Sequence, residues 1–281
     1  MSPLSSLRAS YWILVLPALL LLAALYAVPV LSVLWLSVTI PEPGLANYAQ
    51  LFTNETIARV LVVTIRVCLI STVITLLAGY VVAYVLIHVS ERQRQYLLFF
   101  VLLPFWLSVL VRSFAWLILL GRQGVVNDTL ISLGMIDQPL SLIRNEFGVI
   151  VGMVHYMLPY AVLPLFAGMR GIDGRLVFAA RGLGFGPVGA FWRVFFPLSL
   201  PGVVSAAVLV FVMSLGFYVT PAILGGGKTV MIAEYIAFNI LENIRWELAT
   251  MLASVLLITI FAILFAVSRF FDLRRMFGAA A

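Results

Sequence analysis

The sequence predicts an all-α integral membrane protein with six transmembrane helices and both termini in the cytoplasm. Three observations predict this fold class: 64% of the 281 residues are apolar, only 10% are charged, and the apolar residues gather in six long runs. A typical soluble domain carries about 25% charged residues. The composition therefore excludes a soluble globular domain, and the single cysteine, Cys68, excludes a disulfide-stapled module.

Each apolar run is long enough to cross a bilayer, because a hydrocarbon core of about 30 Å takes roughly 20 helical residues. The first run is far longer than the apolar part of a secretion signal, so we interpret it as a retained span. No internal repeat or low-complexity linker divides the sequence, which predicts a single domain over residues 1–281. The predicted spans are residues 11–38, 60–88, 96–120, 149–169, 203–224 and 249–271.

The basic residues orient these spans. With both termini inside, ten of the 17 basic residues lie on the cytoplasmic side, five lie outside, and Arg66 and Arg112 lie within spans. This bias fits the excess of Lys and Arg that cytoplasmic loops carry. The inner set is Arg8, Arg92, Arg94, Arg170, Arg175, Arg181, Arg193, Arg269, Arg274 and Arg275.

The longest predicted cytoplasmic segment, residues 170–201, is not a simple connector, which would be short and polar. Residues 176–183 form a predicted amphipathic helix, and Gly184 breaks it because glycine adopts a positive φ without a Cβ penalty. Pro187 then opens a second helix, which we expect to end before Pro197. Such a bent pair suits docking onto another protein; a pair lying on lipid headgroups is the alternative.

This segment carries a motif. Residues 178–184 read Phe-Ala-Ala-Arg-Gly-Leu-Gly, and residues 195–198 and 201–202 read Phe-Phe-Pro-Leu and Pro-Gly. The pattern resembles the EAA loop of ATP-binding-cassette (ABC) importer permeases, which runs Glu-Ala-Ala, three residues, Gly, and later apolar-Pro-Leu and Pro-Gly. Phe178 stands in place of the motif's Glu. Weaker motifs along the chain resemble those of spermidine/putrescine importer permeases.

The resemblance implies the MetI-like fold of type I ABC importer permeases and a place in the bacterial inner membrane. It also implies a second permease subunit, two cytoplasmic ATPase subunits that bind ATP and Mg²⁺, and an external binding protein that delivers a small-molecule substrate. This chain then acts as a transport subunit, surrounded by membrane lipid, with no catalytic residues, cofactor, metal or nucleic acid of its own. The implied ATPase-coupling residues are Phe178, Ala179, Ala180, Arg181, Leu183 and Gly184.

A charged side chain within a span is costly and marks a functional candidate. Arg112 either meets an anionic substrate or binds the backbone carbonyls of a kinked neighbour. Trp106 and Tyr218 match positions at which polyamine permeases present rings to their cargo, and an aromatic face attracts ammonium groups. The candidate substrate path comprises Trp106, Arg112, Trp116, Tyr156, Tyr160, Phe217 and Tyr218.

Several alternatives remain open at the sequence level. No acid falls inside a predicted span, so a polyamine's countercharge would come from a partner permease or from Glu234, Glu242 and Glu247 at the outer mouth. Arg112 equally fits an anionic or amino-acid-derived solute. A secondary transporter is the alternative of another class, but it predicts coupling acids or an inverted repeat, and neither is visible.

Overall fold

The computed structural model describes residues 15–270. Residues 11–14 and 271 of the predicted spans, with Arg8, Arg274 and Arg275, lie outside the described residues. The described part is nearly all helical and contains no strand, which confirms the predicted all-α class, while the cytoplasmic position of the termini stays a prediction. Within it, five helices are long and apolar enough to cross a membrane, and a bent pair supplies a sixth span if the two members count as one.

The helices are numbered in chain order. They are α1 (Val15–Thr39), α2 (Glu55–His88), α3 (Glu91–Leu102), α4 (Val109–Leu119), α5 (Val125–Ser132), α6 (Glu146–Arg170), α7 (Gly174–Gly182), α8 (Pro187–Leu215), α9 (Val219–Leu224), α10 (Ile232–Leu241) and α11 (Trp246–Phe270). Short turns lie at Ala46–Ala49, Gln50–Thr53 and Leu103–Trp106.

The predicted third span, residues 96–120, is bent in the structure. The stretch Glu91–Trp106, which is α3 with the 3-10 turn Leu103–Trp106, meets α4 at 99° across a break at residues 107–108. Pro104 lies in that turn and has no N–H with which to continue the α-helical pattern. Ser108 then starts α4 afresh by accepting a hydrogen bond from the Leu110 N–H at 3.3 Å. Arg112 consequently lies in the first turn of a new helix.

Helix α8 continues through Pro197, so the prediction that the second helix of the bent pair ends before this residue is wrong. A π-turn at Phe191–Phe195 precedes the proline. The wider turn accommodates a ring that would otherwise clash with the carbonyl four residues earlier. At its other end α8 stops at Leu215, and α9 is a separate helix, so the predicted fifth span of residues 203–224 is divided.

The contacts group the described residues into two compact units. The first holds residues 15–57 and 236–258. Its buried side chains include Leu248, Met251 and Leu252, whereas α1 exposes its apolar residues along its length. A hydrogen-bonded pair of hydroxyls, Ser37 Oγ and Tyr48 OH at 2.8 Å, ties the following turn to α1.

The second unit holds residues 58–235 and 259–270, and α6 and α8 form its centre. Their backbones approach closely where two glycines face each other: a Cβ on Gly168 would lie 3.0 Å from the Cα of Gly202. This close approach matches the role of small residues between membrane helices. The buried cluster here is Ala83, Met157, Ala161, Leu165, Met169, Phe195, Ala206 and Val210.

Candidate coupling elbow and substrate path

The bent helix pair, α7 followed by the start of α8, is called the elbow. Asp173 caps α7 by accepting a hydrogen bond from the Arg175 N–H at 2.9 Å. At the other end the Gly184 N–H donates to the Arg181 carbonyl at 3.0 Å, and the Phe185 N–H donates to the Ala180 carbonyl at 3.2 Å. This pair of bonds is a Schellman cap. Gly184 has a φ of 91°, which confirms the predicted glycine break.

The elbow presents apolar side chains on its surface. Leu183 is 82% exposed, and Val188 and Trp192 are also exposed; these three residues are called the elbow face. Ala180 and Ala190, by contrast, are buried. Exposed apolar side chains close together in the sequence suit contact with another protein, so the elbow face is a candidate docking surface.

A cavity of about 590 Å³ lies beside α7 and is also bordered by the ends of α2 and α6. Gly174, Val177, Phe178 and Arg181 border it, and their spacing of three or four residues places them on one face of α7. Of the predicted coupling residues, Phe178 and Arg181 therefore border the cavity, whereas Leu183 belongs to the elbow face. Ala179 is exposed and does not border the cavity.

Four aromatic rings form what is called the ring cluster: Phe105, Tyr156, Tyr160 and Phe217. Tyr156 stacks on Tyr160, one helical turn away, with 5.9 Å between centroids, and lies 4.5 Å from Phe217. Phe105 meets Tyr160 edge to face at 5.0 Å. Sequence reasoning missed Phe105, because the irregular turn at Pro104 hides which of the adjacent rings, Phe105 or Trp106, turns toward α6.

Arg112 lies against the ring cluster. Its guanidinium carbon is 4.4 Å from the centroid of the Tyr156 ring, within the range of a cation–π interaction. The residue is 9% exposed, and its Nε has no hydrogen-bond partner among the described residues. None of the ion pairs among the described residues includes Arg112. An aromatic face is thus the main compensation for this buried charge.

Trp116 joins the same neighbourhood through a histidine. Its indole Nε1 donates to His155 Nδ1 at 3.0 Å, and His155 precedes Tyr156 on α6. Because Nδ1 accepts this hydrogen bond, the geometry assigns a neutral imidazole that carries its proton on Nε2. The hydroxyls of Ser113 and Thr220 lie 3.3 Å apart nearby and link α4 to α9.

Two predicted path residues lie outside the cluster. Trp106 is 88% exposed, and Tyr218 is also exposed. Neither ring contacts another aromatic ring of the described residues. The structure thus brings Arg112, Tyr156, Tyr160 and Phe217 together, with Trp116 joined through His155, and leaves Trp106 and Tyr218 on the surface.

The acids predicted at the outer mouth differ in their environments. Glu247 pairs with Arg245 at 3.3 Å, and Glu242 is exposed. Glu234, in the first turn of α10, has one buried carboxylate oxygen without a hydrogen-bond partner among the described residues. Burial raises the pKa of Glu234 to about 6, partly offset by a hydrogen bond from the Met231 backbone. Its charge therefore depends on pH in the mildly acidic range.

Comparison with known proteins agrees with this architecture. The sequence model of the family described as "Binding-protein-dependent transport system inner membrane component" matches residues 75–276. A similar curated protein is the spermidine/putrescine transport system permease protein PotB of Haemophilus influenzae, which is 34% identical over 200 residues. The match covers 71% of this chain and 70% of that protein.

Solved structures share the fold. A chain in the crystal structure of a bacterial ABC transporter that imports the acidic polysaccharide alginate aligns with a TM-score of 0.74 and 18% identity, over 96% of this chain and 98% of that one. A chain from the same kind of transporter, in complex with its alginate pentasaccharide-bound periplasmic protein, aligns with a TM-score of 0.74 and 18% identity, over 94% and 95%. At this identity the likeness concerns the fold alone.

Proposed function

The chain belongs to the family of binding-protein-dependent transport system inner membrane components and is an ABC importer permease subunit; on this basis we propose that it imports polyamines (spermidine or putrescine) or a related small organic solute. ATP hydrolysed by two partner ATPases drives the transport, and an external binding protein delivers the substrate. This chain forms half of the pathway beside a second permease and performs no chemistry itself. Membership of this family argues against the secondary-transporter alternative.

The Schellman-capped elbow carries this proposal. Its cap fixes the end of α7 with two backbone hydrogen bonds and a left-handed glycine directly before α8 begins, and the proposal has α7 and the start of α8 move together. The elbow face, with Leu183 at its centre, gives the ATPase an apolar surface on which to pull. The proposed orientation, with both termini inside, puts the elbow in the cytoplasm, where such an ATPase resides.

The elbow also connects to the substrate path. Helix α6 carries Tyr156 and Tyr160 and ends at Arg170, three residues before the Asp173 cap of α7. When ATP closes the ATPase pair, the elbow moves and α6 moves with it, which reorients the pathway from inward-facing to outward-facing. Hydrolysis then resets the assembly. A coupling of this kind needs a discrete element with two arrangements, and the elbow, which moves as one piece between two positions, is the proposed one.

The substrate class follows from the ring cluster and from the polyamine permeases among the relatives. An aromatic face attracts an ammonium group by roughly 0.5 to 2 kcal/mol. The Tyr156 ring contacts the rings of Tyr160 and Phe217, and the three together offer a continuous aromatic surface in the second unit. Glu234 supplies an acidic group for a cation outside the spans.

A second candidate is an anionic or amino-acid-derived substrate. The buried Arg112 favours it, because no described carboxylate pairs with this guanidinium. A substrate carboxylate would supply the missing partner and offset the desolvation of the charge.

Two measurements test the proposal. The full chain, purified with its co-expressed second permease and cytoplasmic ATPase, should retain the ATPase and, with the binding protein added, take up labelled spermidine into proteoliposomes only when ATP is present. The cognate binding protein should hold spermidine or putrescine tightly. Uptake without ATPase would contradict the importer assignment, whereas a receptor that prefers acidic solutes would leave the importer intact and favour the second candidate.

A further inference from the structure

The cavity beside α7 carries positive charge that is not part of the elbow face. Arg94, Arg170 and Arg181 border it, together with His88 at the end of α2. No Asp or Glu of the described chain borders it. The cavity therefore favours an anionic occupant.

Two of the three arginines are free to bind such an occupant. Arg94 is already engaged: its Nε donates to the Leu86 carbonyl at 2.9 Å, and its guanidinium pairs with Glu91. Arg170 and Arg181 are exposed and form no hydrogen bond or ion pair with the described residues. They bring two uncompensated charges to one cavity.

The rest of the wall is apolar and combines aromatic with aliphatic residues. The Tyr84 ring meets Phe191 at 5.6 Å and Phe195 at 5.3 Å, and all three side chains border the cavity with Phe166. A purely inorganic anion makes no use of such a surface. A ligand with an anionic group and an apolar body satisfies both parts, and about 590 Å³ is within the usual range for a bound small molecule.

The position of the cavity identifies a source for this ligand. It lies where α2 ends at His88 and α6 ends at Arg170, and both helices are apolar enough to span a bilayer. The ends of spanning helices lie at the level of lipid headgroups. Basic pockets between membrane helices on the cytoplasmic side bind anionic headgroups.

We propose that this cavity binds one anionic phospholipid of the inner leaflet. Its phosphate pairs with Arg170 and Arg181, and its glycerol and proximal acyl carbons pack on Phe166, Phe191 and Phe195. The choice of leaflet rests on the proposed function, because it follows from a cytoplasmic elbow. The lipid occupies the inner face of α7, while the elbow face with Leu183 stays open for the ATPase.

The test uses the full chain with its partner subunits in nanodiscs of phosphatidylcholine that contain increasing fractions of phosphatidylglycerol. Retained phosphatidylglycerol is counted by native mass spectrometry. Each arginine near a membrane surface contributes about fivefold to the binding of anionic lipid. The double variant Arg170→Gln/Arg181→Gln should therefore need roughly 30-fold more phosphatidylglycerol to retain the lipid that the natural chain holds.

Matched variants separate this site from general charge effects and from misfolding. Arg175→Gln removes an exposed arginine of α7 that does not border the cavity, and it should retain the lipid. Arg170→Lys/Arg181→Lys keeps both charges and should stay within a few-fold of the natural chain. Equal retention by the double Gln variant, loss of the lipid when the ATPase binds, or the same thermal stabilisation from inorganic phosphate would each overturn the proposal. Lipid retention is measured without substrate, so a negative result for the lipid site is distinguishable from a negative result for substrate uptake.

Discussion

Two helix ends in this molecule share one geometry and differ in their surroundings. Helix α7 ends with Leu183 and Gly184, and helix α5 ends with Leu133 and Gly134. The Gly134 N–H donates to the Ile131 carbonyl at 2.9 Å and the Met135 N–H to the Leu130 carbonyl at 3.0 Å, the same Schellman pattern as in the elbow. Both glycines have a positive φ, 67° at Gly134 and 91° at Gly184.

The difference lies in the chain immediately after each cap. After Gly184, α8 begins at Pro187, and the turn between the two helices is bordered by an arginine-lined cavity. After Gly134 no helix begins until Glu146. The two caps also flank opposite ends of α6. A glycine cap alone therefore indicates a helix end, and the second helix that begins directly after Gly184 is what distinguishes the proposed coupling element from the cap at Gly134.

The largest expected effect comes from placing a β-branched residue at each of the two caps. A β-branched residue in the left-handed region costs at least about 1 to 2 kcal/mol. A Cβ at either glycine meets nothing within 4 Å, so the strain is confined to the backbone. Gly184→Val should lower ATP-driven uptake more than about tenfold, whereas Gly134→Val should leave it within about twofold.

Uptake into proteoliposomes, with the ATPase content of each preparation measured, checks this expectation. If both variants lose uptake equally, the elbow has no special role in coupling.

The leucines before the two glycines offer a second contrast between the caps. Leu183 is 82% exposed and Leu133 is 67% exposed, so neither contributes much to the free energy of unfolding of the isolated chain. Burial of a leucine in an interface is worth about 1.5 to 3 kcal/mol. Leu183→Ser should weaken ATPase binding by roughly tenfold or more without a change in melting temperature, and Leu133→Ser should change neither. Titration of detergent-solubilised permease with purified ATPase measures this, and equal affinity of the two variants contradicts docking at the elbow face.

Arg112 is a buried charge, unlike the exposed leucines at the two caps. Arg112→Met removes the cation from the Tyr156 face while it keeps most of the volume, so thermal stability should stay within about 1 kcal/mol. For a polyamine the freed ring should lower the apparent KM by about 2- to 30-fold, the equivalent of 0.5 to 2 kcal/mol. ATPase binding should not change. A raised KM, measured for spermidine and for an acidic solute in parallel, would instead favour the anionic substrate.

The smallest expected effect concerns Glu234. Its pKa of about 6 in the folded protein exceeds the ordinary value of 4.5, so the folded state binds more protons between these values. The stability that Glu234 contributes should therefore be highest below about pH 4.5 and fall as the pH rises through 6. Glu234→Gln should remove this slope from melting temperatures recorded between about pH 4.5 and 7, while the exposed Glu242→Gln should keep it. If the slope of melting temperature against pH persists in Glu234→Gln, the slope arises from another group.

Local sequence signals predicted some features well. The glycine break at Gly184 follows from the residue itself, since only glycine reaches the required φ without strain. Prolines were harder to interpret: Pro104 lies in a 3-10 turn that a 99° break follows at residues 107–108, whereas α8 continues through Pro197 after a π-turn. A proline therefore either interrupts or continues a helix, depending on the backbone turn in which it lies.

That this chain is helical, apolar and bent at Gly184 could be derived from the amino-acid order alone, because composition, run length and glycine stereochemistry act over a few residues. Tertiary packing settled which rings meet Arg112, that Trp106 and Tyr218 lie on the surface, and that Arg170 shares a cavity with Arg181. Those contacts join residues that are distant in the chain or lie on opposite sides of a turn. They depend on how α4, α6, α7 and α8 pack, which no local pattern of residues encodes.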